Sequence, residues 1–148
     1  MSRRETPPLP AFVRPPRARS ENMRAILSAR NRTTERRLRA LLMQAGVSGW
    51  RVRPANVAGA PDFAFPADRV LIFVDGCFWH GCPRCGREPK TNSRYWTAKI
   101  VRNRSRDRRV RRFLRSRGYT VLRIWECDLR GQPAKCVARI QKALTPRL

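Results

Sequence analysis

Three of the chain's five thiols and its single histidine fall within Gly76-Cys77-Phe78-Trp79-His80-Gly81-Cys82-Pro83-Arg84-Cys85, and another thiol follows in Trp125-Glu126-Cys127. Zn²⁺ takes four soft ligands at about 2.3 Å, so Cys77, Cys82, Cys85 and Cys127 could close a tetrahedral thiolate site. Such a metal would staple a loop with little core of its own to the end of a distant strand, and its binding energy would become local folding energy. Thiols buried without a metal are the alternative. Cys136 shares a helical face with Ile140 and reads as a core thiol. His80, if four cysteines fill the tetrahedron, is released for proton transfer near neutral pH.

Carboxylates stand at spacings that suit a second, harder cation. Asp62 follows Pro61 at the start of one strand pattern and Asp75 ends the next, so a hairpin between them would bring the two acids together. A strand-borne acid pair is a cradle for Mg²⁺, which wants oxygen ligands and keeps several waters. Glu35, three residues before Leu38 on an apolar helical face, projects toward the same core. Ordinary ion pairing competes with this reading, because 34 Lys and Arg face only 10 Asp and Glu.

That imbalance, a net charge of +24, makes a chain that repels itself unless a polyanion neutralises it. Nine arginines lie between Arg102 and Arg117 on one long helix pattern, enough to neutralise many phosphates and release their counterions. Along the same pattern Trp96, Ile100, Asn103, Asp107, Val110 and Leu114 step by four and three. The stripe is apolar except for Asn103 and Asp107, which need partners: a core hydrogen bond, an Arg pair or, for Asn103, a base edge. Phe78 and Trp79 are placed either to wedge between base steps or to lid the core.

The elements that must position these groups follow from periodicity. Residues 1–19 hold five of the twelve prolines and five arginines with little to bury, and read as a flexible basic arm before one domain over 20–148. Ser20 caps a short helix reaching about Arg30, and Thr33 or Thr34 caps a second one, along which Leu38, Leu41, Leu42 and Ala45 recur before Gly46 stops it. Period-two patterns at 50–53 and 62–65 predict strands, and Val70-Leu71-Ile72-Phe73-Val74 predicts a strand covered on both faces at the sheet's centre. A helix from about Ser93 to Arg117, a strand from Tyr119 to Trp125 and a helix led by Pro133 complete the order. The fold class is α/β, one mixed sheet flanked by helices. No run approaches a spanning segment and no secretory signal is evident, so a cytoplasmic, nucleoid-associated protein is expected; no extra apolar helix face is evident, so a monomer is expected.

Taken in order, Asn22-Met23-Arg24, Thr34-Glu35-Arg36, Pro61-Asp62-Phe63, Asp75-Gly76-Cys77-Phe78-Trp79-His80, Tyr95-Trp96, Arg106-Asp107 and Trp125-Glu126-Cys127 resemble the very short patch repair mismatch endonucleases of bacteria. The resemblance runs from about Arg19 to the C-terminus. It implies a restriction-endonuclease-like core with a structural zinc loop, and Mg²⁺-dependent nicking of double-stranded DNA on the 5′ side of the thymine in a T:G mismatch. It also implies mismatch-repair proteins as further partners. Carried over by position, Asp62 and the backbone carbonyl of Val74 would bind Mg²⁺, and His80 would be the general base or proton shuttle. Glu35 would position metal-bound water, and Asp75 takes the neighbouring active-site position, where some relatives have histidine. Phe78, Trp79 and Trp96 match aromatics that wedge into DNA beside the mismatch, Met23 enters from the minor groove, and Lys99 and Asn103 match positions facing the mismatched bases. Two departures stand out. Cys77 occupies the place of the lysine in the restriction-enzyme acid pattern, and Cys82 and Cys85 stand where relatives vary between His and Cys. Without the acids, the same charge, thiols and aromatics would describe a non-catalytic zinc-containing nucleic-acid-binding module. Without a mismatch preference they would describe a restriction-type nuclease.

Overall fold

The computed structural model describes residues 32–77, 82–85 and 92–144. The basic arm, the short helix predicted after Ser20, Met23, Phe78, Trp79 and His80 lie outside the described residues.

Helical residues 32–44 form α1, whose Leu38 and Leu42 are completely buried. Arg32 is already helical, so Thr33 and Thr34 sit inside the first described turn rather than capping it. The stop is the expected one. Gly46 takes φ +70°, a left-handed conformation that glycine adopts without a Cβ penalty, and Val47 N–H then closes back onto the Leu42 carbonyl at 2.9 Å.

Four strands follow as β1 (Arg51–Val52), β2 (Phe63–Phe65), β3 (Val70–Asp75) and β4 (Thr120–Trp125), in the spatial order β1-β2-β3-β4. β1, β2 and β3 pair antiparallel, whereas β3 and β4 pair parallel with Val70 opposite Thr120 and Asp75 opposite Trp125. A parallel pair needs a long crossover, and α2 (Ser93–Ser116) supplies it. The sheet is therefore mixed, as the alternation of patterns predicts. Two short helices close the described chain, α3 (Glu126–Gly131) and α4 (Pro133–Leu144). The period-two reading gives no warning of α3, because six residues are too few to establish a helical period.

Alternation along β2 and β3 sorts the core into two layers. Phe63, Phe65, Val70 and Ile72 pack with Ile124 against Leu38 and Leu42 of α1, Leu129 of α3, and Cys136 and Ile140 of α4. Ala64, Leu71, Phe73 and Val121 turn to the other face and meet Leu114 and Val110 of α2. Helices thus cover both faces, which is why β3 is a continuous apolar run ending in a single acid. Cys136 is 2% exposed, in keeping with a core thiol.

Gly59 shows how closely α2 approaches the sheet. Its φ is +77°, and a Cβ there would run into Val110 Cγ1 and lie 3.3 Å from Phe73 Cε1. Gly46 has the same backbone need but open space around it. Gly46→Ala should therefore cost about 1–2 kcal/mol from the left-handed backbone alone, and Gly59→Ala about 1–3 kcal/mol more from overpacking. Urea unfolding of the two variants checks this ordering, and equal losses would show that the α2 contact yields freely.

Candidate functional site

The α1 start, the β1–β2 connection, the end of β3 and the first half of α2 converge on an open cleft of about 540 Å³. Its acidic wall is Glu35, Asp62 and Glu126. Its basic and polar wall is Arg32, Arg53, Lys99, Asn103 and Arg106, with Thr34, Val74 and Gly76 completing the lining. An acid-floored cleft rimmed by cations is an uncommon feature in a chain of net charge +24.

Asp62 is the fixed point of that floor. Backbone bonds anchor it on both sides, its own N–H to the Ile72 carbonyl at 2.9 Å and its carbonyl accepting from Arg53 N–H at 2.9 Å. Its Oδ2 accepts the Val74 N–H at 2.7 Å. Burial pushes the Asp62 carboxyl above its usual range, and the nearby charges of Asp75 and Glu35 add to the effect; the Val74 hydrogen bond and Arg53 oppose it. A carboxylate so placed gains from a cation beside it. Glu35 supplies a second acid, 13% exposed at the side chain, and Arg53 Nη2 binds its Oε2 at 2.8 Å. Arg53 itself is held in a left-handed turn at φ 44° just after β1. The hairpin thus brings Asp62 and Val74 to one cleft, and α1 adds Glu35 to it.

Asp75 turns to the α2 face of the sheet instead of lining this cleft. Only 2% exposed, it receives both Nε and Nη2 of Arg123, at 2.6 and 2.9 Å. Nη2 also reaches Asp107 Oδ1 at 3.3 Å, which supplies the partner that the α2 stripe demanded for Asp107. Asn103, one turn earlier, faces the cleft with Lys99. Trp96 is half-buried, edge-on to Tyr95 at 5.1 Å between centroids, and the Lys99 ammonium lies 5.4 Å from its ring.

Sequence reasoning passes over Arg53 and Arg123, and it gives Arg106 and Glu126 no role in the site although both fall within motifs that carry the resemblance. One signal was available for Arg123: it is the lone charge in Thr-Val-Leu-Arg-Ile-Trp, a strand with apolar neighbours, and a charge in such a strand needs a carboxylate partner. No comparable signal marks Arg53 among so many arginines.

The four cysteines expected to share a metal do come together. Sγ atoms of Cys77, Cys82, Cys85 and Cys127 all lie within 4.8 Å of one another, and such a cluster could hold a metal ion. The edge of a tetrahedron with ligands at about 2.3 Å is about 3.8 Å. Cys82 and Cys127 stand 3.7 Å apart, so the donor set fits zinc in both softness and size. Burial pushes the Cys77 and Cys127 thiols up. Burial also disfavours the Cys82 thiolate, but hydrogen bonds from the backbone N–H groups of Arg84 and Cys85 and from the Cys85 and Cys127 thiols together outweigh it and bring this thiol down to about 7. Cys127 lies in the first turn of α3, two residues beyond the predicted strand end, and Arg84 adds a 2.6 Å ion pair to Asp128 on the same helix.

Comparison with known proteins agrees with this geometry. The family model described as DNA mismatch endonuclease Vsr matches residues 13–86. The DNA mismatch endonuclease Vsr of Escherichia coli is 42% identical over 132 residues, which is 88% of this chain and 80% of that protein. The type II nicking enzyme V.XorIIP of Xanthomonas oryzae is 38% identical over 80% of this chain and 86% of its own. The type II nicking enzyme V.NaeI of Lentzea aerocolonigenes is 53% identical over a shorter stretch, 45% of this chain and 40% of that enzyme. With a family model spanning half of its length and a relative alignable over most of it, the chain belongs to the Vsr family of DNA mismatch endonucleases.

Proposed function

We propose that this endonuclease nicks one strand of double-stranded DNA on the 5′ side of the thymine in a T:G mismatch, with Mg²⁺ at Asp62 and a structural zinc at the cysteine cluster. The observation that carries the reading is the pairing of Asp62 and Glu35 on the floor of a cleft whose rim is Lys99, Asn103, Arg106, Arg32 and Arg53. Carboxylates beside a polyanion are unfavourable, so a pure binder gains nothing from them, whereas a phosphodiesterase needs a cation there. The donor chemistry fits: hard carboxylate oxygen, a buried acid whose charge lacks full compensation, and the Val74 backbone alongside it. Asp62 and the Val74 carbonyl are the proposed ligands. Mg²⁺ bound there would offset the charge that builds on the phosphate as the bond is cleaved.

The chain's own groups supply the rest of the proposed reaction. Arg32, Arg53 and Arg106 take the phosphate backbone at the cleft rim, and Glu35 orients the attacking water. His80 accepts that water's proton, and Asp75 backs the site from the next position on β3. Lys99 and Asn103 face the mismatched bases. Trp96, with Phe78 and Trp79, wedges into the stack beside them, and Met23 enters from the minor groove. A wobble pair costs less to unstack than a matched one, so the energy of deformation becomes specificity.

Three outcomes are expected. With Mg²⁺, a T:G duplex should be nicked on one strand 5′ of the thymine while the matched T:A duplex is spared; equal cutting of both would remove the mismatch preference. Asp62→Asn should lower nicking at least about 10²-fold while DNA binding persists, since it removes a ligand of a cation that supplies several kcal/mol. It should not lower thermal stability. A raised carboxyl pKa contributes stability below the unfolded-state pKa and loses it as pH rises through the folded value, so at neutral pH the ionised Asp62 is a cost that Asn escapes. Third, elemental analysis should find zinc in the wild type and in Cys136→Ala, and a loss of it in Cys127→Ser; retention in Cys127→Ser would exclude this cluster as the site.

A further inference from the structure

Arg123 is the only charged residue of β4, and its guanidinium is engaged along its Nε–Nη2 edge and over one face. Its edge forks onto both oxygens of Asp75 at 2.6 and 2.9 Å, Nη2 continues to Asp107 at 3.3 Å, and its plane lies 4.9 Å from the Phe73 ring centroid. The backbone carbonyl of Arg123 in turn accepts Arg139 Nη1 from α4 at 3.2 Å. One cation therefore ties the last residue of β3 to the middle of α2, across the α2 face of the sheet.

The two ends of this tie are adjacent to the two halves of the cleft. Asp75 directly follows Val74, whose N–H holds the Asp62 carboxylate. Asp107 directly follows Arg106 and stands one turn after Asn103, and both of these line the cleft with Lys99. The apolar seating of α2 on the sheet runs through Val110 and Leu114, farther along the helix and away from the cleft. The Asp107–Arg123–Asp75 bridge thus joins α2 to the sheet nearer the cleft end of the helix than Val110 and Leu114 do. Side-chain exposure of 16% at both Arg123 and Asp107 keeps that bridge largely out of water, where an ion pair holds its geometry.

We infer that Arg123 is a positioning residue for strand cleavage: its bridge between Asp75 and Asp107 sets the register of the DNA-facing residues of α2 against Asp62 on the catalytic side. The inference rests on the nuclease reading above. It requires that Arg123 touch neither substrate nor cation. Its loss should leave the energy of DNA binding, supplied by the rim cations, largely intact. What it should reduce is the rate at which bound DNA is cut, because small misplacements of reacting groups cost far more in rate than in affinity.

The test compares wild type, Arg123→Lys and Asp107→Asn. Arg123→Lys keeps a cation between the carboxylates but loses the fork; Asp107→Asn keeps the Asp75–Arg123 pair in the sheet and releases only the helix, which protects the test against simple unfolding. Affinity for a T:G duplex is measured in metal-free buffer, nicking is measured at saturating duplex with Mg²⁺, and amide exchange is followed along α2. Both variants should bind within about twofold of wild type, nick about tenfold more slowly at saturation, and exchange faster over residues 103–110 than wild type while α4 is unchanged. Nicking at the wild-type rate by either folded variant, or unchanged α2 exchange in Asp107→Asn, overturns the inference. Equal cutting of T:G and T:A duplexes by the wild type would instead sink the mismatch reading, and the variant ratio would still be read on either duplex. If wild type cuts neither, the nuclease reading fails, and the exchange measurement alone decides whether the bridge holds α2.

Discussion

The contact on which the site depends is the 2.7 Å hydrogen bond from the Val74 N–H to the Asp62 carboxylate. It joins the start of one hairpin strand to the end of the other, so the β2–β3 register fixes where the acid stands. That bond lowers the carboxyl pKa, yet burial outweighs it and leaves the group above its ordinary range. A single hydrogen bond orients the acid without satisfying it. The chain carries 34 basic side chains, yet no ion pair to Asp62 is found among the described residues, and the charge of Arg53 favours its ionised form only weakly. The unmet demand for positive charge is therefore local, and a small divalent ion answers it better than a long flexible guanidinium.

Around that point the fold separates two kinds of work. On one face, Leu38, Leu42, Phe63, Ile72, Leu129 and Ile140 make an ordinary apolar core. On the other, α2 packs its second half through Val110 and Leu114 and presents its first half to the cleft. The cysteine cluster does for the loop after β3 what a core does elsewhere. Cys77, Cys82 and Cys85 meet Cys127 of α3, and Arg84 adds its ion pair to Asp128. A loop tied in this way needs less apolar core of its own.

Much of this was legible in the residues. The continuous run 70–74 named the central strand, Gly46 marked a helix end, and the cysteine spacing named a cluster that the fold assembles. Thr33 and Thr34 failed as caps because a capping residue type is common and its neighbours decide whether it is used. α3 was invisible because it is too short to show a period. The site was legible in its acids and only partly in its partners. Asp62, Glu35 and Asn103 reach one cleft as expected, but Asp75 turns to Arg123, a pairing that depends on the parallel register of β3 and β4. Which arginine meets which acid is set by such long-range pairing, and a sequence with so many arginines does not announce it.

The account stands on a divalent ion held at Asp62 against duplex DNA. Mn²⁺ titrated into the protein bound to a T:G duplex, with free Mn²⁺ followed by electron paramagnetic resonance, reads that directly. Wild type should remove Mn²⁺ from solution saturably, and Asp62→Asn, bound to the same duplex, should not. Equal uptake by the two proteins would contradict the account, because the cation would then be held somewhere other than the carboxylate on which the site is built.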